Sequence, residues 1–143
     1  MRTTFGKRLS ELLKEEYLTA DALSKEIGVS FSIAAQWVRE NTPAKLFNLL
    51  KVASFFDCSL DYLCGRTDIK GKFINATPTF PARLIELIEE SSETKAAIFN
   101  ELGLNRHALY DWRKGAVPLS SQLVKIADYF NVTIDYLIGI DDM

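Results

Sequence analysis

The chain has 143 residues, 48% hydrophobic and 25% charged. That balance excludes a disordered polypeptide, and no apolar run approaches the roughly 18 residues a membrane-spanning helix needs. The formal net charge of -2 excludes a globally basic nucleic-acid binder, so any such contact must come from a local patch. Residues 1–70 carry ten Lys/Arg against nine Asp/Glu, and residues 71–143 carry seven against ten. The opening stretch from Met1 to Glu16 carries Glu11, Glu15 and Glu16 and is helically patterned, unlike a secretory or transit peptide, so the expected location is cytoplasmic.

Phe5, Leu9, Leu12 and Leu13 follow i, i+4, i+7, i+8, one apolar stripe on a helix, with Thr4 as its predicted N-cap. Thr19 is a second cap, before a helix with Ala22, Leu23 and Ile27 facing inward. Gly28 ends that helix, because glycine adopts positive φ at little cost. Ser30 caps a third helix with Ala34 and Trp37 inward. After a loop containing Pro43, a fourth helix buries Leu46, Leu49, Leu50, Ala53 and Phe56. Ser59 caps a short fifth helix ending near Gly65. Residues 69–78 are predicted as a linker, although Phe73 and Ile74 are apolar enough to pack on a domain.

The pattern then recurs. Phe5, Arg8, Leu9, Thr19, Gly28, Trp37 and Pro43 return 75 residues later as Phe80, Arg83, Leu84, Thr94, Gly103, Trp112 and Pro118. After a one-residue deletion, Asp61, Tyr62, Leu63, Gly65 and Asp68 return as Asp135, Tyr136, Leu137, Gly139 and Asp142. A long period repeated once predicts two copies of one small domain, not a solenoid. The expected fold class is therefore all-α, with five-helix domains at 1–68 and 79–143. Thr79, Thr94, Asn105 and Thr133 are the predicted caps of the second copy. Cys58 and Cys64 stand where the second copy has Val132 and Ile138, which marks them as small buried hydrophobes. With a single His, no metal site is expected, and no cofactor is expected. No nucleophile arrangement or phosphate-cradling glycine run is present, so an enzyme is not expected.

From Ala20 to Trp37 the chain has the spacing of a helix, a tight turn and a second helix packed across the first. Leu23, Ile27, Val29, Ala34 and Trp37 around Gly28 meet its apolar demands, as do Ile98, Leu102, Leu104, Leu109 and Trp112 around Gly103. These residues resemble the Cro/lambda-repressor-like helix-turn-helix regulators, twice over and across nearly the whole chain. The closing Asp61-Tyr62-Leu63 and Asp135-Tyr136-Leu137 extend the likeness. The resemblance implies a regulator, expected to be a repressor, that occupies a double-stranded DNA operator, with the third helix in the major groove. A homodimer would meet half-sites about 34 Å apart.

Carried residue by residue, the resemblance implies a second-copy reading face of Arg106, His107, Tyr110 and Asp111, with Asn105 as cap. Arg106 suits guanine and Asp111 suits cytosine N4, and Lys95 and Lys114 would hold phosphates. In the first copy the face is Phe31, Ser32, Ala35 and Gln36, with Ile33 partly outward. Gln36 suits adenine, and Arg39, Asn41 and Lys45 suit the backbone. Phe31 and Ile33 suit thymine methyls or a protein partner equally. The alternative to a DNA binder is a protein-interaction module that has kept this fold and lost DNA binding, as in an anti-repressor. By surface chemistry the second copy is the expected reader. Yet Phe99 stands where the first copy has Ser24, at the helix crossing, and a phenyl ring there forces a different packing. Ala34, opposite Leu109, predicts an underfilled first core unless Trp37 or Phe31 compensates.

Overall fold

The computed structural model describes residues 2–140. Asp142, the sequence counterpart of Asp68, lies outside the described residues. The chain divides into two compact units, Met1–Asn75 and Ala76–Met143. The described residues form ten α-helices and no β-strand. No described helix is long and apolar enough to cross a membrane.

The first unit contains α1 (Phe5–Glu15), α2 (Ala20–Ile27), α3 (Phe31–Arg39), α4 (Leu46–Phe56) and α5 (Leu60–Leu63). Local chemistry sets where four of them begin. The hydroxyls of Thr4, Thr19, Ser30 and Ser59 accept from the amides of Lys7, Ala22, Ile33 and Tyr62. Each satisfies an amide that the helix leaves unpaired, typically for about 1 kcal/mol. α1 packs on α3 and α5, and α2 packs on α3 and α4. Leu9, Leu12, Leu23, Trp37, Leu49, Val52 and Leu63 are buried in the core. Ala34 is fully buried, and Trp37 meets Phe5 edge-on at 5.5 Å. Phe31 does not compensate for the small Ala34, because its side chain is on the surface.

Arg8 closes this unit. The side chain is buried and its Nε donates to the Tyr62 carbonyl at 3.0 Å. Nη2 donates to the Thr67 carbonyl at 3.0 Å, and the guanidinium lies 4.1 Å from the Tyr62 ring centroid. A planar fork that stacks while it donates explains why arginine occupies this inward position. The segment after α5 also bonds to the unit. The Ser59 amide donates to the Lys70 carbonyl at 2.9 Å, and the Phe73 amide donates to Asp57 Oδ1 at 3.2 Å. Residues 70–73, linker by composition, are thus tied to the junction of α4 and α5. Cys58 and Cys64 are buried free thiols.

The second unit contains α6 (Phe80–Glu90), α7 (Lys95–Leu102), α8 (Ala108–Arg113), α9 (Ser120–Phe130) and α10 (Ile134–Leu137). Thr94 and Thr133 cap as their sequence context predicts. Thr79 does not: its ψ of 53° departs from the extended cap conformation and its side chain makes no cap bond. Its own amide instead donates to the Ile138 carbonyl at 2.6 Å. Arg83 Nη1 donates to the Tyr136 carbonyl at 2.7 Å while stacking 4.1 Å from that ring's centroid. Phe80 meets Trp112 edge-on at 5.0 Å.

Candidate nucleic-acid interface

In the first unit α2 and α3 form a continuous, well-capped pair. α2 stops at Gly28, whose φ of 75° is left-handed. The Gly28 and Val29 amides both return to the Ser24 carbonyl at 3.0 Å, so the chain reverses within three residues. The buried Ser24 lets the helices approach closely, and its hydroxyl donates to the Asp21 carbonyl at 2.7 Å. That bond removes the cost of a buried hydroxyl. Ser30 restarts the chain as α3, with Ala34 and Trp37 facing the core.

The outward side of α3 carries Ser32, Gln36 and Arg39, flanked by Phe31 and Ile33, which are 46% and 40% exposed. Ala35 is not among them. It is only 8% exposed, which corrects its placement on the reading face. At 100° per residue it lies beside Val38, on the edge of the core-facing stripe rather than opposite it. Arg39 extends back along the helix, its Cζ 5.9 Å from the Phe31 ring centroid. Asn41 is exposed but committed: φ is 55°, and its Oδ1 accepts from the Thr4 hydroxyl at 2.9 Å. A Cβ on Gly6 would collide with that same Oδ1 and with the Trp37 carbonyl. Asn41 is thus part of the α1–α3 junction. Lys45 is exposed at the start of α4.

The second unit differs at the corresponding place. Phe99 is buried and lies 6.2 Å from the Trp112 ring centroid. The ring stands at the sequence position that the small Ser24 holds in the first unit. α2 packs along α3, whereas α7 meets chiefly α9, and α8 meets chiefly α6. α8 begins only at Ala108, two residues later than the alignment with α3 requires. Asn105 is not its cap: Oδ1 accepts from the His107 amide at 2.7 Å, two residues on, where Ser30 reaches three. That bond closes a turn which competes with helix.

Arg106 and His107 are exposed but belong to this turn, and His107 is the N-cap without a side-chain cap bond. Lys95 Nζ donates to the Arg106 carbonyl at 3.2 Å and lies 5.6 Å from the Phe99 ring. Tyr110 is 61% exposed, and Lys114 Nζ lies 5.5 Å from its ring. Asp111 and Lys114 are exposed. Of the cationic residues singled out in the second unit, Lys95 begins α7, Arg106 and His107 lie in the turn, and Lys114 caps the end of the six-residue α8. The first unit keeps the full helix. Neither Asn41's structural bond nor Ala35's burial is legible from spacing, although Gly6 is a signal that something packs tightly there.

Comparison with known proteins points to the same segment. Residues 9–63 match the family model described as "Helix-turn-helix", a stretch running from within α1 to the end of α5. Together with the α2–α3 geometry, this makes residues 9–63 a helix-turn-helix domain. The chain is also similar to an uncharacterized HTH-type transcriptional regulator, YobD, of Bacillus subtilis (strain 168). The two are 33% identical over 64 residues, 45% of this chain and 57% of that protein. The match thus spans little more than half of the relative. No solved structure matches.

Proposed function

We propose that this chain is a non-enzymatic transcriptional regulator that binds duplex DNA through the helix-turn-helix of its first unit and represses by occupying an operator. The observation that carries this reading is the capped, closely crossed α2–α3 pair with Ser32, Gln36 and Arg39 outward. The family match over residues 9–63 and the regulator named among its relatives support it. α3 enters the major groove, where Phe31, Ser32, Ile33 and Gln36 meet base edges. Arg39 and Lys45 lie beside phosphates.

The repeated sequence pattern supports reading 1–68 and 79–143 as tandem copies joined through 69–78. In the second copy, Lys95, Arg106, His107 and Lys114 are assigned to phosphate contacts. The short α8 and the buried Phe99 argue against base readout by Tyr110 and Asp111. The chain acts as a homodimer or through its two copies on one site.

The test is binding of the full chain to genomic duplex fragments across a salt series. Affinity should fall with a log–log slope of about -0.9 per phosphate neutralised. Arg39→Ala should flatten that slope by about one. Absence of any salt-sensitive duplex complex overturns the proposal. A second reading, a protein-interaction module of the anti-repressor kind, is favoured by one observation: Phe31, Ile33, Phe47 and Phe55 of the first unit are all exposed. A protein that co-purifies with the chain and is lost on Phe47→Ser or Phe31→Ser, without any DNA affinity, would support that reading instead.

A further inference from the structure

The reading face of α3 has an unusual chemistry for a helix facing a polyanion. Its first two turns present Phe31, Ser32, Ile33 and Gln36, with no cation and no carboxylate. The buried Ala35 narrows the outward set to these four. The cation of this face is Arg39, in the last turn, with its guanidinium 5.9 Å from the Phe31 ring. Among the described residues, the Gln36 side chain makes no hydrogen bond, while the Gln36 carbonyl accepts from Glu40 and Thr42. Those backbone bonds hold the end of α3 and leave the amide at full reach.

Each base pair shows its own pattern in the major groove. Guanine offers two acceptors and calls for a forked cation. Adenine offers an acceptor and a donor, which a glutamine amide matches, and thymine alone offers a methyl group. The α3 face lacks the first tool near its N-terminus and carries the other two. We infer that this face reads A·T pairs chiefly through thymine methyl groups, with Phe31 and Ile33 packing on the methyls and Gln36 forking onto an adjacent adenine. The inference rests on the proposal that the first unit binds duplex DNA. Two half-exposed apolar side chains on one turn are otherwise a cost in solubility, which burial against methyl groups offsets.

The experiment uses the full chain and a randomised duplex library, followed by base-analogue substitution in the selected site. The selected half-site should be rich in A·T. Replacing its contacted thymines by uracil removes the methyl and keeps the base pair. Binding should weaken about fourfold per methyl lost, the worth of one buried carbon group. Phe31→Ser should weaken binding to the thymine site and abolish the difference between thymine and uracil, with an unchanged salt slope and far-UV circular dichroism. Gln36→Ala should cost tenfold or more and relax the preference at one A·T position. A selected site rich in G·C, or uracil duplexes bound as tightly as thymine ones, overturns the inference while leaving DNA binding intact. A guanine in the site whose preference vanishes in Arg39→Ala overturns it likewise. If no duplex is bound at all, or Phe31→Ser releases a protein instead, the underlying DNA-binding proposal fails, and the inference with it.

Discussion

Ser24→Phe places in the first unit the residue that the second unit carries at the same crossing. Ser24 is almost fully buried between α2 and α3, and its hydroxyl donates to the Asp21 carbonyl at 2.7 Å. A phenyl ring there overpacks a crossing built for a hydroxymethyl group, at a cost of about 1–3 kcal/mol. Loss of the Asp21 bond adds about 1 kcal/mol. The expected destabilisation is therefore about 2–4 kcal/mol. It is read by urea unfolding of the Trp112→Phe background, in which Trp37 alone reports on the first unit. For a unit of this size that corresponds to a fall in Tm of at least about 8 °C. Ser24→Ala, which loses the bond but not the clearance, should cost about 1 kcal/mol and keep DNA affinity. At a temperature where Ser24→Phe remains folded, its DNA affinity should fall at least tenfold. A Ser24→Phe protein within 1 kcal/mol of the parent, with parental affinity, would refute the reasoning that a small residue at this crossing is what lets α3 pack closely on α2.

Ser30→Ala should destabilise the first unit by about 1 kcal/mol through the lost cap on Ile33. Asn105→Ala, which only loosens a turn, should cost less in thermal melts of the second unit. Arg8→Ala leaves the Tyr62 and Thr67 carbonyls without their buried donor; about 3 kcal/mol should be lost in chemical denaturation. Arg8→Lys should recover less than half of this, since an ammonium neither forks nor stacks. Burial pushes the Cys58 thiol up to about 11 from an ordinary 9.0. Burial also raises Cys64, with the nearby Asp61 charge adding to it. These raised values mean that the thiols' contribution to stability is fully present below pH 9 and is lost as pH rises toward 11. In that window the unfolded thiols have released their protons while the folded ones retain them. Stability should fall there by about 1.4 kcal/mol per pH unit for each thiol. Alkylation of Cys58 in the native chain at pH 8 should be roughly a hundredfold slower than in the unfolded chain.

The helix starts at Thr4, Thr19, Ser30, Ser59, Thr94 and Thr133, and the turns at Gly28 and Gly103, were legible in the sequence. Each depends on a hydroxyl reaching an amide three residues away, or on a backbone angle that glycine tolerates, and such causes operate within a few residues. The apolar stripes of α1 and α6 were legible for the same reason, because helical periodicity itself assigns a face. Thr79 and Asn105 obeyed the same local rules on paper and behaved otherwise. Thr79 is held by the Ile138 carbonyl far along the chain, and Asn105 precedes a helix that starts two residues late in the unit where buried Phe99 stands in place of Ser24.

The helical setting of the two candidate faces likewise depends on tertiary structure. Surface chemistry favours Arg106 and His107 as a reading face, yet these residues fall in a turn, while the less charged α3 is intact and fully capped. Ala35 and Asn41 left the first unit's face for the same kind of reason: one is covered by the core's edge, the other is engaged by Thr4 beside Gly6. The sequence by itself determined the helices, their caps and the inventory of side chains that can meet a partner. Which of those side chains stand together on a usable surface depended on contacts between residues distant in the chain, because burial and helix crossing are properties of what packs against a face and not of the face alone.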